Sequence, residues 1–189
     1  VEVKGLLKEN GLITGLEVLD HESEERYTIK NKVVINATGV FSDRIVKLDQ
    51  PEAQPMIRPS QGVHLVLERA FLDGPHAIMI PHTSDGRVLF AVPWHDHVVV
   101  GTTDTPIDYA DEEPKALEDE IAFILSNASQ YMTKKPKKKD VKSVFAGLRP
   151  LAAHQGDSMQ TKEVSRHHKV NVSTSGLISV LGGKWTTYR

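Results

Sequence analysis

The stretch "LISVLGGKWTTYR", Leu177–Arg189, starts as a strand and ends as something else. Leu177 to Leu181 is a short apolar run of the kind that sits inside a sheet. It stops at the pair Gly182-Gly183, and Lys184, Trp185, Thr186, Thr187, Tyr188 and Arg189 follow. A glycine pair after a buried strand either turns the chain or opens the backbone to a ligand. The polar residues beyond it read as the first turn of a helix. The free amides of such a turn carry partial positive charge and suit an anion or an electron-rich ring. A plain strand-to-loop turn fits the same residues, so the stretch alone does not decide between them.

A second run, "KVVINATG" at Lys32–Gly39, has the same build. Val33, Val34 and Ile35 are continuous apolar residues, as expected of a strand buried on both faces. The run ends in Ala37, Thr38 and Gly39, small enough to let a ligand or another backbone come close. Upstream, Leu12–Asp20 and Tyr27–Ile29 are expected to pair as a hairpin across the polar "DHESEE". Downstream, Phe41–Leu48 reads as a short helix with Asp43 near its amino end, a position that needs no catalytic role. The three prolines of Asp49–Pro59 give an extended linker.

A block of strands follows: "QGVHLVLE", "HAIMIPH", "RVLFAVPW" and "HVVVGTTD". "TSDGR" at Thr83–Arg87 and "WHDHV" at Trp94–Val98 join them as hairpins, which gives a mostly antiparallel sheet. "EEPKALEDEIAFILSNASQYM" predicts a helix, with Pro114 in its first turn and Leu117, Ile121, Ile124, Leu125 and Ala128 on one face. "VKSVFAGLRPLAAH" is a further strand, and "KVNVSTSGLISVLGG" a hairpin around Ser173–Gly176.

The chain has 189 residues, 39% hydrophobic and 25% charged, within the range of globular proteins. Its formal charge of -2 argues against nucleic acid as a partner. It has no cysteine, which removes disulfides, thiolate metal sites and thiol nucleophiles together. No apolar stretch reaches the roughly 20 residues of a membrane-spanning helix. Both ends read as cut, so a piece of a longer protein is expected. His95 and His97 alternate on an expected strand and could share a face, but no third ligand converges on them, so no metal is expected. Lys134–Lys139, "KKPKKK", reads as a solvated loop after a helix. Arg149, Arg166 and Lys184 all fall at strand ends. They either converge to bind a phosphate or carboxylate or are three solvated charges.

Four motifs in order, "VVINATGVFSD", "VPWHDHVVVGTTD", "GLRPL" and "VLGGKWTTYR", resemble the FAD-dependent glycerol-3-phosphate dehydrogenases. The resemblance runs over nearly the whole chain. It implies an α/β plus β architecture: part of a FAD/NAD(P)-binding domain of the D-amino-acid-oxidase and glycine-oxidase type, residues 1–52 and 141–189. Residues 53–140 would form an inserted, mostly antiparallel substrate domain. The amino-terminal GxGxxG that cradles FAD pyrophosphate in this family does not occur in the sequence. The isolated chain is therefore expected to be inactive and to hold FAD weakly or not at all.

Carried over residue by residue, the resemblance implies that Arg149 and Arg166 contact the substrate phosphate. The spacing between those two differs slightly from the family's. Lys184 would lie near substrate and flavin, and His64 would face the flavin as candidate base. Ala37, Thr38, Gly39, Gly182, Gly183, Lys184, Thr186 and Thr187 would contact FAD. The implied reaction is hydride transfer from C2 of sn-glycerol 3-phosphate to the flavin, giving dihydroxyacetone phosphate, with quinone or oxygen as final acceptor. The implied location is cytoplasmic, with peripheral attachment to the cytoplasmic membrane as in some bacterial relatives. Two other readings stay open: an amino-acid or 2-hydroxy-acid oxidase on the same scaffold, with the arginines clamping a carboxylate, and a non-enzymatic anion-binding module.

Overall fold

The computed structural model describes residues 1–153 and 167–184. In chain order the strands and helices are β1 (Glu2–Glu9), β2 (Leu12–Leu19), β3 (Arg26–Lys30), β4 (Ile35–Asn36), α1 (Ser42–Asp49), β5 (Ile57–Glu68), β6 (Ile78–Ile80), β7 (Leu89–Trp94), β8 (His97–Gly101), β9 (Thr105–Pro106), α2 (Glu118–Ala128), β10 (Ser143–Ala152), β11 (His168–Val172) and β12 (Ile178–Gly182). The chain divides into two compact units, residues 1–59 with 149–189 and residues 60–148. Along the chain this division falls within β5 and β10. No helix among the described residues is long and apolar enough to cross a membrane.

The first unit holds two three-stranded sheets, β1-β2-β3 and β11-β12-β4. The expected hairpin forms, with Val18 opposite Tyr27 and Leu16 opposite Ile29. In the second sheet β12 runs antiparallel to β11 and parallel to β4, with Ile178 opposite Ile35 and Ser179 opposite Asn36. Leu177, Val34, Val46 and Ile13 close one core, and Leu181, Ala152 and Ile57 another. The run Val33–Ile35 is not buried on both faces as expected. Val34 is buried, while Val33 is 55% and Ile35 63% exposed. Among the described residues β4 is the edge of its sheet, and Ile35 continues an open face with Val170, Val172 and Val180.

Helix α1 begins one residue later than expected, after a 3₁₀ turn at Gly39–Phe41. Asp43 does not cap its own helix. Its two carboxylate oxygens accept the backbone N–H of Met56 (3.0 Å) and Ile57 (3.1 Å), fixing the entry into β5. That strand extends to Ile57, so Arg58 and Pro59, read as linker, are strand residues. At the other end of α1, buried Asp49 meets the ammonium of Lys8 at 2.8 Å and the Ser175 hydroxyl at 2.5 Å. Lys8 also donates to the Asp49 carbonyl at 2.9 Å, placing a cation where the helix leaves its carbonyls unpaired.

The second unit is built on a sheet in the order β10-β5-β8-β7-β6, with β9 added to β5. Alternation along the strands sorts the side chains. Val63, Leu65, Leu67, Leu89, Ala91, Val98 and Val100 point to a core closed by Ile124 and Ala128 of α2. Both expected hairpins form. Ile80 faces Leu89 across a loop containing the Thr83–Gly86 turn, and Trp94 faces His97 across the two-residue turn His95-Asp96. His95 is therefore in the turn, with φ +51°, and does not alternate with His97 on a strand. Its ring meets Trp94 edge-on at 5.5 Å.

Helix α2 starts at Glu118, so Pro114 lies outside it, contrary to expectation. The reason is Glu120, whose carboxylate accepts the Leu117 N–H at 2.9 Å and fixes the cap there. Leu117 itself is 50% exposed, and the buried face is Glu120, Ile124, Asn127 and Ala128. After the helix, Lys138 of the basic run pairs with Glu118 at 2.5 Å.

Candidate functional site

In the first unit, parallel β4 and β12 deliver their carboxyl ends to the same side of one sheet. Ligands in α/β sheets bind at that edge. Strand β4 leads into Ala37-Thr38-Gly39, and β12 ends in Gly182 followed by Gly183 and Lys184. The two glycine-bearing turns read from sequence are thus neighbours in space.

Asn36 builds the first turn. It is 2% exposed, and its amide donates to the Ser42 carbonyl (3.0 Å) and to Ser179 Oγ on β12 (3.3 Å). Its side-chain oxygen accepts the Thr38 hydroxyl at 2.8 Å, and Ser42 Oγ donates to the Gly39 carbonyl at 2.8 Å. Gly39 has φ +61°, and nothing stands within 4 Å of where its Cβ would be. An L side chain there would be strained and would fill an open space.

The second turn is tighter. Gly182 and Gly183 have φ +68° and +87°. A Cβ on Gly182 would lie 2.7 Å from the His167 carbonyl oxygen and 3.3 Å from the Ala152 Cβ. Gly182 is thus needed so that β12 can lie against the end of β10, the strand that carries Arg149 three residues before Ala152. Arg149 is half-buried and Lys184 exposed. Three left-handed glycines stand in the two turns, and at Gly39 the space above the backbone is open among the described residues, so that a flat ring or a phosphate can approach it.

His64 belongs to the second unit. It lies on β5 opposite Gly101 of β8, on the sheet face not covered by α2. Its imidazole stacks on Phe145 of β10, centroids 5.0 Å apart and planes 9° apart. Arg166, Thr186 and Thr187 lie outside the described residues. Among the described residues no group of three or more His, Asp or Glu side chains is arranged to hold a metal.

Sequence reading missed Asn36, Gly101 and Phe145. The signals were present: a lone amide inside an apolar strand run, and a glycine in the strand "HVVVG". Phe145 had none, because a phenylalanine in a strand is ordinary.

Comparison with known proteins gives the family and the fold. Bovine mitochondrial glycerol-3-phosphate dehydrogenase is 39% identical over 197 residues, covering 100% of this chain and 27% of the relative. The crystal structure of the Bacillus halodurans glycerol-3-phosphate dehydrogenase complexed with FAD superposes with a TM-score of 0.84 at 32% identity, over 100% of this chain and 36% of that one. Glycine oxidase from Bacillus cereus, at 18% identity, shares the fold with a TM-score of 0.59 over 96% of this chain and 43% of its own. The chain spans about a quarter of the length of the bovine relative. The fold is part of a FAD-binding domain of the D-amino-acid-oxidase and glycine-oxidase type, combined with a mostly antiparallel sheet. The sequence profile described as "FAD dependent oxidoreductase" matches residues 1–189 throughout, and the chain belongs to that family.

Proposed function

We propose that this chain is part of a flavoenzyme that oxidises sn-glycerol 3-phosphate to dihydroxyacetone phosphate. One observation carries the reading: two glycine turns at the carboxyl ends of adjacent parallel strands, one of them pressed against the strand that bears Arg149. The turns Ala37-Thr38-Gly39 and Gly182-Gly183 fit FAD, because the space where a Gly39 side chain would stand is open and Gly183 meets only the His168 Cβ at 3.6 Å. Held there, FAD would supply the acceptor for the hydride from C2 of the substrate.

The chain's own residues do the rest. Arg149 holds the substrate phosphate through its guanidinium fork, and Arg166 supplies a second cation. Binding energy at the phosphate, remote from C2, is available to align the C2–H bond. His64 takes the proton of the C2 hydroxyl as the carbonyl forms, since an imidazole titrates near working pH. Lys184 places positive charge beside substrate and flavin. Quinone or oxygen as acceptor, and peripheral attachment to the cytoplasmic membrane, belong to the same proposal. The similarity to glycerol-3-phosphate dehydrogenases supports the substrate and the flavin.

The test is stopped-flow flavin reduction in the enzyme that carries this segment. The substrates are glycerol 3-phosphate, glycine, sarcosine and 2-hydroxy acids. Reduction by glycerol 3-phosphate alone is the expected result, and reduction by an amino acid or hydroxy acid instead would overturn the reading. Arg149→Ala is expected to raise KM for glycerol 3-phosphate by about 10²-fold while leaving flavin content intact, since a charge-assisted bidentate contact is lost. The 189-residue chain alone, lacking GxGxxG, is expected to lose added FAD on desalting. Stoichiometric flavin absorbance after that step would contradict this.

A further inference from the structure

We propose that Gly101 and Phe145 are positioning residues that clamp the His64 imidazole in one plane on the open face of the second unit's sheet. The inference rests on the reading of His64 as the base, and extends it to two residues that act through His64.

Gly101 sits inside a strand and does not adopt a left-handed conformation. A glycine there weakens the strand, and no left-handed φ calls for it. What it supplies is room. A Cβ at 101 would lie 2.3 Å from His64 Cδ2, 2.8 Å from Cγ and 2.9 Å from Nε2. The imidazole therefore occupies the volume that any side chain at 101 would need. The ring is also covered by Phe145, stacked on it with planes nearly parallel, 9° apart. Phe145 is 50% exposed, so it is not there to fill the core.

The clamp belongs to a row across the sheet. Gly101 faces His64 on one side and Phe90 on the other, and Phe90 faces Met79. Phe90 and Met79 are exposed, so His64 is the polar group in an open apolar row. A ring held between an aromatic face and a glycine backbone keeps its nitrogens pointing in fixed directions. A general base needs that, because proton transfer demands hydrogen-bond reach and alignment.

The experiment uses the flavin-loaded enzyme with Phe145→Leu, Phe145→Tyr, Gly101→Ala and His64→Ala, each checked for flavin content. Phe145→Leu and Gly101→Ala are expected to lower kcat by about 10²-fold with KM for glycerol 3-phosphate changed by less than about threefold. Phe145→Tyr, which keeps the stack, is expected to retain most of kcat. In ¹³C-histidine NMR, Phe145→Leu is expected to move the His64 Cδ2–H resonance downfield as the ring current disappears. An unmoved His64 resonance overturns the clamp. A moved resonance with unchanged kcat overturns its role in positioning. If His64→Ala also leaves kcat unchanged, the failure lies in the reading of His64 as base. Phe145→Leu, at a half-exposed position, keeps the test open even if Gly101→Ala does not fold.

Discussion

Glu120→Ala is expected to destabilise the second unit by about 3–5 kcal/mol, the scale for breaking a buried, fully hydrogen-bonded charge network. Glu120 is 4% exposed and accepts from Gln61 (2.7 Å), Thr103 (2.9 Å), Thr105 (2.6 Å) and the Leu117 N–H (2.9 Å). Alanine would leave four donors facing an empty space and would release the amino end of α2 from β5 and β9. Burial pushes the Glu120 carboxyl up, but the bonds from Leu117, Thr105, Gln61 and Thr103 outweigh it and hold the group below the ordinary carboxylate range. A carboxyl depressed on folding contributes fully above its unfolded pKa and loses that contribution as pH falls through the folded one. The urea midpoint of the unit is therefore expected to fall as pH drops below about 4. Glu120→Gln should lower the midpoint at neutral pH and flatten that acid dependence. A Glu120→Ala midpoint within error of the parent protein would show that the network is dispensable.

The strands of both units were legible because their signals are local. Alternation from Val63 to Leu67 and the turn residues Asp85-Gly86 and His95-Asp96 write the antiparallel sheet into short windows. The helix start was misread because the deciding group, Glu120, is tied to Gln61, 59 residues earlier in the chain. Helical periodicity treats a glutamate as a surface residue, and burial of this one depends on three distant hydroxyl and amide donors. The burial of Val33–Ile35 was misread for the complementary reason. An apolar run reports what a strand can bury, whereas its exposure depends on what packs over its faces, and among the described residues nothing covers Val33 and Ile35. At the candidate site the glycines announced themselves, because a left-handed φ and a close approach both demand that residue. Their partners did not. Nothing in the spacing of Asn36 and Ser179, 143 residues apart, says that one braces the turn beside the other. Parallel pairing of β4 with β12 is equally non-local, and it is what turns two weak glycine signals into one edge.

Gly182→Ala is expected to do more damage than Gly183→Ala, although both residues have left-handed backbones. The conformational penalty is common to both, about 1–2 kcal/mol for an L residue held at positive φ. The surroundings differ. At 183 the added methyl meets the His168 Cβ at 3.6 Å, an ordinary contact. At 182 it meets the His167 carbonyl oxygen at 2.7 Å, and this backbone oxygen, one residue before β11, cannot step aside without disturbing the pairing of His168 with Gly182. The Ala152 methyl closes the other side at 3.3 Å. Relief requires β12 to lift away from the end of β10, and that movement separates the glycine turn from the strand carrying Arg149. The expected total is about 3–4 kcal/mol, once overpacking is added to the backbone strain. In the flavin-loaded enzyme, Gly182→Ala should lose FAD on gel filtration under conditions where Gly183→Ala retains it. It should also raise KM for glycerol 3-phosphate in whatever fraction keeps its flavin. Equal flavin retention and equal melting temperatures for the two variants would mean that β12 and β10 do not need their close approach, and the edge they form could not be the seat of cofactor and phosphate binding.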